Sequence, residues 1–488
     1  MPTNRRILNF IDGRFVEGGG RWFEDVNPAT GEVVAEVSEA TAADVDAAVR
    51  AARAALAGPW GKLGIEERAA LLHKVADGIL ARLDDFVAAE MADTGKPLTP
   101  TRMGEIPRAA EQFRTFAEVG RVTPMELFET AMPDGRRALN LGHRVPKGVV
   151  AAICPWNLPL MLLTWKVAPA LICGNAVVAK PSEETPATAA LLGEVMAAAG
   201  VPAGVYNVVH GFGPGSAGEF LTTHSGVDAI TFTGETRTGE AIMRAASVGT
   251  RDISLELGGK NAGIIFADCD FEAAVAGETM AAFHNCGQIC LGNERLYVER
   301  PIFERFVAAL AAAARGIRMG DPMDKATRIG PLISRAHREK VLGYMEKARA
   351  AGAEVHAGGG IPPLGAPFDD GAWIEPTVWT GMAPDAAPVR EEIFGPCVHI
   401  APFDDEDEVR ALVNDSSYGL TATLWTRDLD RTHRLAPTLE VGVVWVNGWM
   451  IRDLRTGFGG TKGSGIGREG GAHSLHFYSE IRNVCIRT

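Results

Sequence analysis

The first 120 residues carry amphipathic patterns of helical period. Thr41-Ala-Ala-Asp44 opens a helix, with Thr41 as N-cap and Asp44 answering it as in a capping box. The Ala-rich run 45–56 continues it. A longer amphipathic pattern covers 65–91 and ends near Gly95-Lys96-Pro97, and 109–120 reads as another helix. The period then changes. Residues 136–145 alternate between Pro133-Asp134-Gly135 and Pro146-Lys147-Gly148, which predicts a β-hairpin arm able to pair with another subunit. From Gly148 onward short apolar runs alternate with helical ones. Strands are expected at 148–154, 175–179, 205–209 and 229–232, and helices at 162–173, 185–199, 217–223 and 237–246. That order predicts an α/β fold with a parallel, doubly wound sheet, whose ligands bind at the carboxyl ends of the strands. Strands at 253–256 and 262–267 follow, then a helix at 271–283 capped by Asp270. A second α/β series runs through 302–315, 334–351, 406–414 and 416–425, and the tail 477–487 alternates as a strand does.

A chain of 488 residues exceeds what one hydrophobic core supports, so two or three domains are expected. With 46% hydrophobic and 22% charged residues the composition is globular rather than disordered. The net charge of −13, with no basic stripe, argues against a nucleic-acid partner. The 7 cysteines are odd in number and scattered, which fits a reducing cytoplasm better than a disulfide framework. Cys286 and Cys290 form a C-x3-C pair, but no second Cys/His pair lies nearby to complete a metal site. The first eleven residues lack the apolar core of a signal peptide, and no run is long and apolar enough to span a membrane.

Two segments carry candidate chemistry. Gly287-Gln288-Ile289-Cys290-Leu291-Gly292 offers a cysteine in a glycine-bracketed loop, and a thiolate there can attack a carbonyl. Leu255-Glu256-Leu257-Gly258-Gly259-Lys260-Asn261 offers a lone carboxylate in apolar surroundings, which can activate water. Together they suggest chemistry through an acyl-thiol. Read alone, a cysteine such as Cys290 is more often an inert core thiol. Gly213-Pro214-Gly215-Ser216-Ala217-Gly218 fits a phosphate-binding turn or an ordinary strand-to-helix loop. Thr233-Gly234-Glu235-Thr236-Arg237-Thr238-Gly239 also precedes a helix, with amides able to face a phosphate. Lys180-Pro181-Ser182-Glu183 ends a strand, where Lys180 can donate to ribose and Glu183 would repel a 2′-phosphate.

Seven segments in order resemble the aldehyde dehydrogenase superfamily across nearly the whole chain. They are Pro155-Trp156-Asn157-Leu158-Pro159, Lys180 to Glu183, Phe232-Thr233-Gly234, Glu256 to Asn261, Gly287 to Cys290, Glu392-Ile393-Phe394-Gly395-Pro396, and Phe458-Gly459-Gly460 through Gly465-Ile466-Gly467-Arg468-Glu469. Within that superfamily, Thr164-Trp165-Lys166-Val167, Phe232 to Gly239 and Arg452-Asp453-Leu454-Arg455-Thr456 are similar to the semialdehyde dehydrogenases of aromatic meta-cleavage pathways. Those enzymes act on 2-hydroxymuconate or 2-aminomuconate semialdehyde. Glu235 departs from the superfamily's usual Ser and agrees with this subgroup, whereas Gly448-Trp449-Met450 departs from it.

The resemblance implies a Rossmann-type NAD-binding domain over 1–126 and 147–257, a catalytic domain over 258–457, and an oligomerisation arm over 127–146 and 470–488. It implies Cys290 as nucleophile, Glu256 as the base on water, and an oxyanion hole from the Asn157 side chain and the Cys290 N–H. NAD binding falls to Trp156, Lys180, Glu183, Gly213, Phe232, Thr233, Gly234, Leu257, Glu392 and Phe394. Arg108 and Arg452 would receive a substrate carboxylate, with Arg455 close enough in sequence to share the role. A surface ion pair is the alternative for each arginine. No metal is implied. The hairpin and the C-terminal strand should trade between subunits of a homodimer or a dimer of dimers. The competing functions are a dehydrogenase for aliphatic, aromatic or betaine-type aldehydes, a cofactor-free thiol esterase, and a non-catalytic binding protein.

Overall fold

The computed structural model describes residues 5–487, so residues 1–4 and 488 of the first and last expected segments lie outside the described residues. Two large sheets organise the chain. The first runs, edge to edge, Gly465–Ile466, Asp252–Glu256, Ala229–Thr233, Val149–Ile153, Ala176–Lys180, Tyr206–Val208, Asn9–Ile11, Arg14–Val16. Its five central strands, Asp252–Glu256 through Tyr206–Val208, are parallel. Numbered in chain order they stand 3-2-1-4-5, so the winding reverses between Val149–Ile153 and Ala229–Thr233.

The near-continuous apolar character of these strands follows from burial on both faces. Val149, Ala151 and Ile153 point into a core shared with helices Ala42–Ala57, Ala217–Thr223 and Thr236–Ser247. Val150 and Ala152 point the other way, into a core shared with Ile65–Ala81, Ile106–Val122, Pro159–Ile172 and Ala187–Ala198. The expected capping box forms: Thr41 Oγ1 accepts from Asp44 N, and Asp44 Oδ2 accepts from Thr41 N at 2.8 Å.

One helix departs from expectation. The pattern over 65–91 is not a single helix but two, Ile65–Ala81 and Leu83–Thr94. Arg82, with φ −111° and ψ 28°, falls out of helical geometry, and its guanidinium is drawn to Asp85 at 2.9 Å and Glu194 at 2.6 Å. Side-chain periodicity survives such a break, because the two helices bury the same kind of face.

The second sheet runs Glu354–Ala357, Thr377–Thr380, Cys397–Phe403, Asn293–Glu299, Asn261–Ile265, Thr421–Trp425, Val443–Val446. All but the antiparallel edge Glu354–Ala357 are parallel. Helices Phe271–Phe283 and Phe303–Arg315 cover one face and Glu406–Asn414 the other. Asp270 caps the first of these, accepting from Ala273 N at 3.2 Å.

The arm is a hairpin of Glu126–Ala131 and Arg137–Pro146, with Asp134 and Gly135 in its turn. The C-terminal strand Ser479–Arg487 lies along Arg137–Pro146 over its whole length, within the same chain. Among the described residues no helix is long and apolar enough to cross a membrane.

The two sheets meet at one place. Asp252–Glu256 leaves the carboxyl edge of the first sheet, and residues 257–260 lead directly into Asn261–Ile265 of the second. The late segment Gly465–Ile466 returns to pair with Leu255 and Glu256.

Candidate active site

Cys290 sits where the chain turns sharply after helix Phe271–Phe283. Asn285, Cys286 and Gly287 are consecutive left-handed residues, with φ of 52°, 57° and 70°. This costly backbone is held by side chains. Asn285 Nδ2 donates to Asn157 O at 2.9 Å, and Asn157 Nδ2 donates to Gln288 O at 2.9 Å. Asn261 Nδ2 donates to Cys290 O at 2.6 Å and Gly292 O at 2.8 Å. The expected trio therefore converges: Asn157 touches the Cys290 loop directly, and Glu256 raises the Cys290 thiol electrostatically. One hydrogen of the Asn157 amide is committed to Gln288 O, and an amide carries a second.

Burial governs the electrostatics. Both carboxyl oxygens of Glu256 are enclosed and without a hydrogen-bond partner. Burial first, and the neighbouring Glu469 second, push its pKa well above the usual carboxylate range, against the pull of Lys166, Arg452 and Arg468. An unpaired buried carboxylate would cost several kcal/mol, which favours the protonated form. The Cys290 thiol is pushed up to about 12, chiefly by burial and then by Glu256 and Glu392, while Arg452 pulls it down. Gly459 makes room for the base: an added Cβ there would stand 2.7 Å from Glu256 Oε1.

The residues expected to hold a dinucleotide lie along the carboxyl edge of the parallel sheet. Lys180 and Thr233 end their strands, and Trp156 and Leu257 follow theirs. Trp156 and Thr233 flank the point where the winding reverses. Lys180 Nζ bonds Glu183 at 3.0 Å. The Phe232 ring covers Gly234, where an added Cβ would meet it at 2.4 Å. Trp156 stands edge-on to Phe394 with ring centres 5.4 Å apart. Glu392 accepts from Gly259 N at 2.7 Å, and its other oxygen would lie 2.5 Å from a Cβ on Gly258, which explains a glycine there. Burial, then Glu294, raises the Glu392 carboxyl to about 7. Gly213 is set apart, in the loop after Tyr206–Val208, three strands from Ala229–Thr233. In that loop the Gly215 N–H is taken by Glu219 at 2.7 Å, so the chain itself supplies the anion a phosphate turn would bind. Glu235 likewise pairs with Arg237 at 2.8 Å on the surface.

Arg452 and Arg108 meet: Arg108 Nη2 donates to Arg452 O at 3.1 Å. The Arg452 guanidinium is sandwiched between Trp165, 4.3 Å away, and Phe458, 4.0 Å away, and its Nε and Nη2 are enclosed without partners. Burial lowers it to about 10, against the attraction of Glu469 and Glu256. Arg455 differs: it is exposed and bound to Asp453 through two contacts of 2.9 and 2.6 Å.

Several groups at the site had no role read from sequence. Lys166, fully buried, joins Glu469 at 2.8 Å and Thr231 at 3.0 Å behind Glu256. Glu294 holds the Ile393 and Phe394 amides at 3.0 and 2.8 Å and is itself gripped by Lys260. Lys166, Lys260, Asn261 and Glu469 stand inside recognised segments; Glu294, between Asn293 and Arg295 at the start of a strand, lies outside them.

The family pattern "Aldehyde dehydrogenase family" matches residues 15–484. The chain is 61% identical to a 2-hydroxymuconic semialdehyde dehydrogenase of Pseudomonas sp. (strain CF600) over 99% of this chain and 100% of that one. It is 56% identical to a 2-aminomuconic 6-semialdehyde dehydrogenase of Pseudomonas sp., over 99% and 98%. An aldehyde dehydrogenase from Bacillus cereus, solved as its NAD+ complex, superposes with a TM-score of 0.95 at 39% identity, over 99% of this chain and 96% of that one. The carboxyl edge at the winding reversal, with Glu392 fixed beside it, fits a dinucleotide such as NAD. The chain belongs to the aldehyde dehydrogenase family and is an NAD-dependent aldehyde oxidoreductase.

Proposed function

We propose that this dehydrogenase oxidises 2-hydroxymuconate semialdehyde to the dicarboxylate in the meta-cleavage breakdown of aromatic rings. One observation carries the reading: an Arg452 guanidinium whose Nε and Nη2 are enclosed without partners, close enough to Glu256 and Cys290 to bias both. A buried cation without an anion is costly, and the carboxylate at the far end of a muconic semialdehyde would satisfy it. Arg108, tied to the Arg452 backbone, adds a second positive charge. The relatives named for 2-hydroxymuconic semialdehyde, at 61% and 57% identity, support the same substrate. The second reading is 2-aminomuconate semialdehyde, favoured by the relative at 56% identity. The two substrates share the carboxylate and differ by one small group.

In the proposed mechanism Cys290 releases its Sγ proton to water, and the thiolate attacks the aldehyde carbon as the C=O π bond breaks, forming a thiohemiacetal. The free hydrogen of the Asn157 amide and the Cys290 N–H receive the developing oxyanion. NAD, when bound, is the oxidant that carries the carbon to the acid level. Glu392 and Phe394 shape the nicotinamide end, and Trp156, Lys180, Glu183, Phe232, Thr233, Gly234 and Leu257 line the remainder; Gly213 contributes only the edge of that crevice. Glu256, once deprotonated, takes a proton from the water that hydrolyses the thioester. Burial and the mobile proton of a raised carboxyl suit it to that work.

The domain limits proposed are 1–126 with 147–257 for NAD, 258–457 for catalysis, and 127–146 with 470–488 as an oligomerisation arm. Exposed Leu127, Phe128, Ile481 and Val484 on that arm support a homodimer or a dimer of dimers. A cytoplasmic location fits seven cysteines that are all unpaired.

The test is NADH formation with 2-hydroxymuconate semialdehyde beside benzaldehyde and hexanal. The expected result is a kcat/KM at least about tenfold higher for the muconic substrate, roughly 1.4 kcal/mol of transition-state preference. Equal use of the uncharged aldehydes would remove the substrate assignment.

A further inference from the structure

The Cys290 turn is bolted down by its carbonyl groups, one after another. Gly292 N–H closes the turn on Ile289 O at 2.8 Å, so Cys290 and Leu291 are its two central residues. Asn157 holds the carbonyl of residue 288, and Asn261 holds those of residues 290 and 292. The remaining carbonyl, Leu291 O, accepts from the Trp449 indole N–H at 2.9 Å. The Thr421 hydroxyl reaches the same oxygen only at 3.5 Å, too long to replace it.

Trp449 comes from elsewhere in the molecule, the loop after Val443–Val446 that also carries Arg452. That loop is built to hold a direction. Asn447 and Met450, on either side of Trp449, are non-glycine residues at φ 54° and 59°, a conformation side chains disfavour. The Asn447 side chain is pinned to Thr426 N and O at 3.1 and 2.9 Å. Trp445 Nε1 donates to Ile451 O at 2.8 Å, and Arg108 holds the next carbonyl. The His284 ring stands edge-on to the Trp449 indole, with ring centres 6.0 Å apart. Backbone held in a disfavoured conformation on both sides of one aromatic ring needs surroundings that over-determine it.

We infer that Trp449 is a positioning residue for Cys290, its indole N–H fixing the Leu291 carbonyl and so the peptide that follows the nucleophile. Its indole N–H acts through the Leu291 carbonyl, so its loss should slow the chemical step without weakening binding. The inference rests on the reading of Cys290 as nucleophile.

The test is Trp449→Phe, which keeps an aromatic ring beside His284 and removes the N–H. The single-turnover rate of NADH formation should fall about fivefold, the loss expected of one net hydrogen bond. The fall should be the same for a carboxylated and an uncharged aldehyde. KM for NAD and inhibition by muconate should stay within about twofold. The rate of Cys290 alkylation by iodoacetamide, read by peptide mass spectrometry, should change with the turnover rate. Trp449→His, which can present a ring N–H, should recover part of the loss. Benzothienylalanine at 449, sulfur in place of N–H, gives the same readouts if Trp449→Phe does not fold. A single-turnover rate within about twofold of wild type, a loss confined to KM, or equal losses in Trp449→His and Trp449→Phe overturns the inference. Undiminished turnover by Cys290→Ala instead overturns the reading beneath it.

Discussion

The Cys290 turn and the Arg452 loop lie side by side and are finished in opposite ways. Around Cys290 the backbone carbonyls of residues 288, 290, 291 and 292 each accept a side-chain N–H. At Arg452 two guanidinium nitrogens are enclosed with nothing to donate to. The contrast separates two tasks. A nucleophile must be held to a fraction of an ångström, so the protein completes its hydrogen bonds internally. On the proposed reading Arg452 receives the substrate carboxylate, and it is packed between Trp165 and Phe458 with those two donors open.

The largest effects should come from breaking the first region. Cys290→Ala should lower NADH formation by roughly 10⁴-fold or more, with no acyl-enzyme in the intact mass. Glu256→Gln should lower steady-state turnover by about 10²- to 10⁴-fold yet leave a first burst of NADH, with the thioester accumulating on Cys290. Equal loss of burst and steady state would move Glu256 from hydrolysis to an earlier role.

Breaking the second region should be milder and selective. Arg452→Met should cost roughly ten- to a hundredfold in kcat/KM for the muconic substrate beyond whatever loss it brings for hexanal, the range for hydrogen bonds to a charged group. The same variant tests the link between the regions through pH. A carboxyl or thiol with a raised pKa is protonated below it and becomes base or nucleophile only above it. The rate should therefore rise with pH through the titration of Glu256 and Cys290. Arg452 lowers both, so Arg452→Met should carry that limb to higher pH. A limb that stays in place would mean the guanidinium acts on substrate alone.

The smallest effect belongs to a residue remote from both. Thr41→Ala removes the cap of helix Ala42–Ala57 and should cost about 1 kcal/mol, read from denaturant unfolding, with turnover unchanged.

Much of the fold was readable in local pattern. The helix over 271–283 with its Asp270 cap, the box at Thr41 and Asp44, and the strand-helix alternation from Gly148 each depend on neighbours in sequence. The break at Arg82 was not readable, because both halves keep an apolar face and the deciding partner Glu194 is distant in the chain. At the site, Cys290, Glu256 and Asn157 were nominated from ordered segments, and they lie together in the structure. The work of Lys166, Lys260 and Asn261 was not, although those residues stand in the same segments. A residue's type states what it can donate or accept, and only its neighbours in space say to whom.

By itself, then, the sequence determined the α/β class and the family and nominated the proposed reacting groups, since these rest on side-chain period and on short segments whose chemistry is local. Tertiary structure alone decided which edge of which sheet receives Gly465–Ile466 and how Ser479–Arg487 lies along the arm. It also decided that Arg452 is unpaired while Arg455 is bound to Asp453, and that Trp449 reaches Leu291. Each of those joins residues far apart in the chain or turns on burial, and burial is a property of the packed whole.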